Sequence, residues 1–323
     1  LWDYWYFFSN RTPKVEYRIG VVTYARFSYG KQNGYSNVVK NLSADFESLS
    51  NLLFKIPSTV EKGDQYVGSA LKTCLNKISW SNDPAARKII FLVGNGEVTL
   101  GPDVIEKVML KLGDKNISVY PIYCKALGER KAILDWQNIA IKSGTSLATM
   151  SLRNYYFDSL DGFDVKKLRS LNRKLNNTYL YYGKDGKRLQ KKLQEDDNQI
   201  YVTNTEGYRY RSLYKISDDY QGKNSSWDLV DLYNSDSVSA FNQEKKLMND
   251  TCRTMSSENL KKYIILKKRE RKELSSMIAE MIKEKEKSDM EKGINSNRNI
   301  QTLDVITLRT IKEILSEKSC DVK

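Results

Sequence analysis

Lys88–Glu97 reads KIIFLVGNGE. The apolar run Ile89–Val93 is unbroken and stops abruptly at Gly94-Asn95-Gly96. A strand apolar on both faces suits the middle of a parallel sheet covered by helices on either side. The run is short, β-branched and closed by glycine, which sets it apart from a buried helix segment. In open α/β sheets, ligands sit beyond the carboxyl ends of the strands, so Gly94–Glu97 is the first candidate site.

Working outward, Gly63–Ile78 carries Val67, Leu71, Leu75 and Ile78 at helical spacing and predicts an amphipathic helix entered through Lys62-Gly63-Asp64. Tyr17–Ala25 is a β-branched strand. Tyr35–Leu42 can return as an antiparallel edge strand, with Ser43 as the cap of a helix through Leu52. Downstream, Pro102 can open a helix that Gly113 stops. ISVYPIYC, Ile117–Cys124, reads as a strand whose Pro121 places it near an edge or a bulge. Glu129–Ser143 is a helix closed by Gly144, and Ser146–Met150 a last short strand. This alternation predicts an α/β fold, a doubly wound and mostly parallel sheet over residues 17–150 with KIIFLV at its centre.

Beyond about residue 155 the pattern turns helical and charged. Val165–Tyr182 is a helix, and Lys184–Gln199 continues it as a solvated one. Thr203–Ser226 lacks periodicity and is expected to be a loop. Trp227–Leu232 packs back onto the body. Ser256 caps a long helix through Glu291 with an apolar stripe at Leu274, Met277, Ile278, Met281 and Ile282. Ile300–Leu315 is a final amphipathic helix. At the other end, the aromatic-rich LWDYWYFF has no capping residue before it. It reads as the end of a helix that packs on the sheet, or as an exposed apolar patch if it is a true terminus. Upstream residues are expected, and a signal peptide would lie among them unseen.

Composition limits the chemistry. The net charge of +13 is spread along the chain, which favours general solubility over a dedicated nucleic-acid footprint, and no apolar run is long enough to span a bilayer. There is no histidine, so Ser-His-Asp and Cys-His catalysis and every histidine-containing zinc site are excluded. Cys74, Cys124, Cys252 and Cys320 lie far apart and read as buried free thiols. The carboxylate pairs Asp196-Asp197 and Asp218-Asp219 stand in polar segments where nothing would tune a pKa for acid–base work. Gly94-Asn95-Gly96 lacks the further glycine and the lysine of a phosphate loop.

Four stretches carry a family resemblance: YRIGVVTYARF; GDQYVGSALKTCLNKISWSNDPAARKIIFLVGNGE; ISVYPIYC; and the charged half beginning LRSLNRKLNNTYLYYGKDGKR. Together they resemble a bacterial von Willebrand factor type A domain. The resemblance implies a Rossmann-like sheet over residues 1–155 without its first strand, followed by a charged, mainly helical extension over 156–323. In the family the missing strand would lie between YRIGVV and KIIFLV, so these two should pair directly or leave a gap.

The resemblance implies a non-enzymatic module that binds a protein ligand, often through a divalent cation, in the cell envelope or outside the cell. The first of the three cation loops has no counterpart here and would lie upstream of Leu1. Asp64 stands at the second loop and Asn95, a neutral donor, at the third, where an aspartate is usual. Asp64 and Asn95 are thus the candidate metal ligands of a degenerate site, with Glu97 reaching a metal only through water. No cofactor is expected in this chain; Mg²⁺ or Mn²⁺ would need the upstream loop. The expected binding face comprises Ala25–Tyr29, Lys62–Gln65 and Gly94–Glu97, with Asp64, Gln65, Asn95 and Glu97 as ligand-binding residues.

Simpler readings stand beside these. Asp64 can merely cap the following helix, and Asn95 can merely tolerate a left-handed turn. A second functional reading is a basic helical adaptor, binding an anionic polymer or membrane through residues 261–292 around KKRERK. Against it, Glu270, Glu273, Glu280 and Glu284 supply i,i+3 and i,i+4 partners for a solvated helix. Tyr208-Arg209-Tyr210-Arg211 has the aromatic–basic interleaving of single-strand binders, although nucleic acid is not the favoured partner.

Overall fold

Alternating burial along Lys88–Gly94 shows how the apolar run is used: Ile90 and Leu92 are buried, and the residues between them are half-buried. The computed structural model describes residues 1–11, 14–56, 61, 63–125, 132–151, 163–291 and 302–317. In chain order the elements are α1 Trp2–Ser9, β1 Ile19–Thr23, β2 Asn37–Ser43, α2 Phe46–Lys55, α3 Val67–Lys77, β3 Lys88–Gly94, α4 Ile105–Asp114, β4 Ile117–Lys125, α5 Ala132–Lys142 and β5 Ala148–Ser151. The helices α6 Val165–Asn176, α7 Gly186–Thr203, α8 Thr205–Ile216, α9 Leu229–Ser235, α10 Ser237–Phe241, α11 Asp250–Arg253, α12 Ser257–Glu291 and α13 Leu303–Glu317 follow. The chain divides into an α/β unit, residues 11–155 with 299–323, and a helical unit, residues 2–10 with 156–298.

In the α/β unit, β3, β4 and β5 form a parallel three-stranded sheet in that order, and β1 and β2 form a separate antiparallel pair. The α/β class is as expected, but the strands fall into two separate sheets instead of one, and the centre differs. KIIFLV lies at an edge, and ISVYPIYC is the middle strand. Among the described residues β1 and β3 do not pair, so the gap allowed for between them is present. Ile90, Leu92, Val119 and Tyr123 face α3, α4 and α5 and form the main core with Leu71, Leu112 and Trp136. On the opposite face, Phe91, Tyr120, Ile122 and Leu147 meet Ile306 and Thr310 of α13 around a cavity of about 200 Å³.

Pro121 sits in the middle of β4, opposite Leu92, rather than at an edge or bulge. Alternation explains why it is tolerated there. Val119 turns its N–H to Ser143 Oγ (2.9 Å) and its C=O to Thr145 Oγ1 (2.6 Å), away from β3. Residue 121 points to the same side, where the β5 ladder begins only at Ile122, so no ladder donor is lost. Two helix starts also move. Asp45, not Ser43, caps α2 by accepting from Ser48 N, and α4 opens at Ile105 behind Val104, with Gly113 inside its last turn. Gly144 closes α5 as expected, in the left-handed region at φ +61°. Residues 129–131 of that helix lie outside the described residues.

The helical unit departs furthest from expectation. Val165–Tyr182 stops being helical at Asn176. α7 is not simply solvated, since Leu193, Asp197 and Ile200 are buried. Thr203–Ser226 is helix in its first half, where Asn204 caps α8 by accepting from Gly207 N at 2.8 Å, and a run of turns from Ser217 to Ser226, as expected of a loop. The aromatics of α1, expected to meet the sheet, pack on α8, with Trp2 and Trp5 about Tyr214 at centroid distances of 5.1 and 5.2 Å. Trp227, Leu229 and Val230, expected to pack back onto the body, are buried, and Leu229 and Val230 join Leu180, Met248 and Ile264 in the core of the helical unit. Ser256 does cap α12, accepting from Asn259 N at 3.2 Å. Of its stripe, Ile278 and Ile282 are buried and Met277 is exposed.

Candidate functional site

At the carboxyl end of β3 the chain is held from three directions. Tyr24, directly after β1, donates its hydroxyl to Val93 O at 2.9 Å. Trp136 of α5 donates Nε1 to Gly96 O at 2.9 Å. Gln65 Nε2 reaches Asn95 Oδ1 at 3.5 Å. These approaches require the two glycines. A Cβ on Gly94 would lie 2.1 Å from the Tyr24 hydroxyl and 2.9 Å from Trp136, and one on Gly96 would lie 2.2 Å from Gln65 Oε1. Neither glycine is left-handed, and Asn95 is not either, so the turn role expected for Asn95 does not hold. The glycines serve close approach instead.

A third loop closes against these. A Cβ on Gly63 would come within 2.7 Å of the Arg26 backbone, so Gly63 runs directly beside residues 25–27. Glu61 binds the Arg26 guanidinium and accepts from Ser28 N at 2.8 Å. Its carboxyl is held below the usual range, first by the Ser28 hydrogen bonds and then by Arg26. Ala25 takes φ +63°, a strained value for a residue with a Cβ, and Arg26 N donates to Tyr35 O across the hairpin.

The structure therefore gathers Gln65 and Asn95 directly and places Asp64 in the adjoining loop. Asp64 and Glu97 are exposed, while Gln65 and Asn95 are half-buried. Lys62 lies outside the described residues. Asp64 does not cap α3, whose preceding residue Tyr66 has no side-chain cap bond; its carboxylate pairs with the Tyr66 hydroxyl. Sequence reasoning missed Tyr24, Trp136 and Glu61 as the parts that shape the site. The Gly94/Gly96 pair was the available signal, because glycines flanking one residue at a strand end permit close contacts.

The donor set does not suit a hard divalent cation. Asn95 Oδ1 faces the Gln65 amide, Asp64 is the one carboxylate of the expected pair, and no cluster of three His, Cys, Asp or Glu suited to a metal exists among the described residues. Calorimetric titration with Mn²⁺ is accordingly expected to show no micromolar binding, and Asn95→Asp to raise whatever affinity exists. Micromolar binding that Asp64→Ala abolishes would contradict this ligand count. A second prediction follows from the packing. Gly94→Ala should cost about 1–3 kcal/mol, because the methyl must displace the half-buried Tyr24 hydroxyl and a fully buried tryptophan. Urea unfolding of the variant against the parent measures it.

The other candidate surfaces are largely engaged in structure. In Tyr208-Arg209-Tyr210-Arg211 both arginines are buried, bound to Glu206 and Asp197 respectively, which removes the single-strand reading. Within the basic helix, Lys262 pairs with Glu258, Lys267 with Glu270 and Arg269 with Glu273, and Arg271 is buried against Asp228 and Asp231. Residue 292 lies outside the described residues. Asp197 is buried as well, contrary to the solvent-facing place expected for the Asp196-Asp197 pair. Cys74, Cys124 and Cys252 are free thiols; burial pushes Cys74 up to about 12 and Cys252 up to about 11, so both are protonated and inert at neutral pH. Cys320 lies outside the described residues. No helix among the described residues is long and apolar enough to cross a membrane. Compared with family models, curated proteins and solved structures, the chain matches none.

Proposed function

We propose that the chain is a non-enzymatic, von Willebrand factor type A-like module that binds a protein ligand at the carboxyl end of β3. The observation that supports this is the mutual bracing of three stretches, residues 24–28, residue 61 with 63–65, and residues 93–97. They are fixed to one another by Tyr24–Val93, Gln65–Asn95 and Ser28–Glu61, and the face carries two exposed carboxylates, Asp64 and Glu97. Rigid loops with exposed charge suit recognition of a preformed surface, where little ordering entropy is lost on binding. Nothing in the donor set asks for a metal, so recognition rests on carboxylates and amides meeting donors and cations of the partner.

The test is retention of envelope or secreted proteins on immobilised chain, with the charge-reversed Asp64→Lys/Glu97→Lys variant as control. Partners of this face should stay bound from low to high salt, weakening only modestly, and should be lost with the variant. Retention that collapses steeply with ionic strength and ignores the variant would favour the reading of an anionic polymer or membrane bound through residues 261–292. That second reading has less to draw on than the sequence suggests, since Lys267 and Arg269 are paired and Arg271 is buried.

A further inference from the structure

Asn-Gly occurs twice in the chain, at Asn33-Gly34 and Asn95-Gly96. This dipeptide carries its own chemistry. The backbone nitrogen after an asparagine can attack the side-chain amide carbon, and glycine, without a Cβ, leaves that approach open. Reaction then depends on whether the nitrogen, the peptide it belongs to and the leaving amide nitrogen are free to move into line. The fold treats the two pairs oppositely. At Asn33-Gly34 these groups are held. Gly34 N donates to Lys31 O at 2.9 Å, which engages the nucleophile, and Asn33 Nδ2, the leaving group, donates to Tyr29 O at 2.9 Å. The main-chain carbonyl of Asn33 accepts from Ser36 N at 3.3 Å and from Ser36 Oγ at 2.9 Å. Gly34 is buried and left-handed at φ +62°, packed against Ser69. Although Asn33 is exposed, its reaction waits on opening of this turn.

At Asn95-Gly96 the same groups are unengaged. The ladder with β4 ends at Gly94, opposite Tyr123. Among the described residues Gly96 N, Asn95 O and Asn95 Nδ2 have no hydrogen-bond partner, so the peptide between the two residues can turn without breaking a bond. Its surroundings are fixed all the same. Trp136 Nε1 holds Gly96 O at 2.9 Å, and Gln65 Nε2 stands 3.5 Å from Asn95 Oδ1. That donor faces the oxygen on which negative charge grows during attack. Both residues are half-buried, so water reaches them. A side chain at residue 96 would obstruct the reaction, but a Cβ there would overlap Gln65. The packing that braces this stretch therefore also keeps Asn95 reactive.

We propose that Asn95 is a site of spontaneous deamidation, which gives the stretch carrying Glu97 a further carboxylate. Gly96 N attacks Asn95 Cγ, the new N–Cγ bond forms as the Cγ–Nδ2 bond breaks, and ammonia leaves with the proton of Gly96 N. Water then opens the cyclic imide. Addition at Cγ, with cleavage of the new bond, restores the main chain and leaves aspartate at residue 95. Addition at the main-chain carbonyl of residue 95 leaves isoaspartate. One water is taken up and one ammonia released, nothing is oxidised or reduced, and at neutral pH the acid's proton passes to the ammonia. Hydroxide speeds the reaction by taking the proton of Gly96 N. The aspartate product keeps the Gln65 donor, which faces a carboxylate oxygen in place of an amide one. The isoaspartate product lengthens the main chain between two glycines that Tyr24, Trp136 and Gln65 pack against. The change is one-way, and it makes the charge of this stretch depend on the age of the molecule.

Timed incubation of the full chain in mildly alkaline buffer tests this. Digestion at low pH and tandem mass spectrometry then read amide-to-acid conversion at each asparagine and separate aspartate from isoaspartate. No partner is needed, so the outcome is independent of the binding-face reading. Each site is referred to its own rate in the chain unfolded by guanidinium, which removes differences of local sequence. The ratio of folded to unfolded rate should be at least tenfold higher at Asn95 than at Asn33, although Asn33 is the more exposed. The folded rate at Asn95 should rise with hydroxide. Asn95→Gln, which would have to close a larger ring, should abolish conversion at residue 95 and leave Asn33 as it was. A ratio at Asn95 less than tenfold above that at Asn33 overturns the proposal. So does an Asn95 that converts in guanidinium and stays intact in the folded chain.

Discussion

Arg271→Ala is expected to destabilise the helical unit by about 3–5 kcal/mol, the loss typical when one member of a buried ion pair is removed. Arg271 Nη1 donates to Asp228 Oδ2 at 2.9 Å and Asp231 Oδ1 at 2.7 Å, Nη2 donates to Thr178 O at 2.9 Å, and the guanidinium stacks 4.0 Å from the Tyr179 ring. Asp228 is fully buried and already caps α9 through Asp231 N, while Leu180 N donates to its other oxygen at 2.7 Å. Removing the cation leaves two carboxylates side by side without water. Burial, and then Asp228, already pushes Asp231 above the ordinary carboxyl range, against Arg271, which lowers it. The variant should therefore be partly rescued by Asp231→Asn, giving a coupling of at least about 1 kcal/mol in a double-mutant cycle. Urea unfolding read by segment-resolved hydrogen exchange is the measurement, because a chain of two units need not unfold in one step. A loss below about 1 kcal/mol would mean the cluster is hydrated and the accounting wrong.

The α/β unit was the more legible half because its signals are local. A run such as Ile89–Val93 needs only its own periodicity and the glycines after it to be read as a strand, and Gly144 stops a helix by its own conformation. Which strand is central is not local information. KIIFLV and ISVYPIYC are both apolar on two faces, and the proline that argued against a central β4 is excused by Ser143 and Thr145, residues more than twenty positions away. The site was legible as a place and not as a mechanism. The glycines flanking Asn95 marked it, but Tyr24 and Trp136 reach it from β1 and α5. The helical unit was misread for a different reason. Charge in sequence was taken as exposure in space, although Arg209, Arg211, Lys215 and Asp197 are all buried. Sequence spacing within α8 gives no hint that Asp197 of α7 waits to receive its cations.

That pairing supports the other large effect. Asp197 Oδ1 accepts from Arg211 Nε at 2.8 Å, and Oδ2 accepts from Lys215 Nζ at 2.5 Å and Asn176 Nδ2 at 2.8 Å, so one carboxylate joins α6, α7 and α8. Asp197→Ala removes the buried carboxylate that both cations bind and should cost about 3–5 kcal/mol at pH 7. The pH dependence carries a definite sign. Burial alone would raise this carboxyl, but Lys215 and Arg211 outweigh it, and the net shift is downward. A carboxyl lowered by folding contributes stability that is present in full above its unfolded value, near 3.9, and is lost as pH falls through the folded value. The gap between parent and variant should accordingly stay constant from neutral pH to about 5 and narrow below about 4. Replacing the triad together, Asp197→Leu with Arg211→Met and Lys215→Met, removes the charges as well as their attraction and should cost far less than the single change. A gap that stays the same down to pH 3, or a triple variant no more stable than Asp197→Ala, would show that this carboxylate is not what holds the two cations inside.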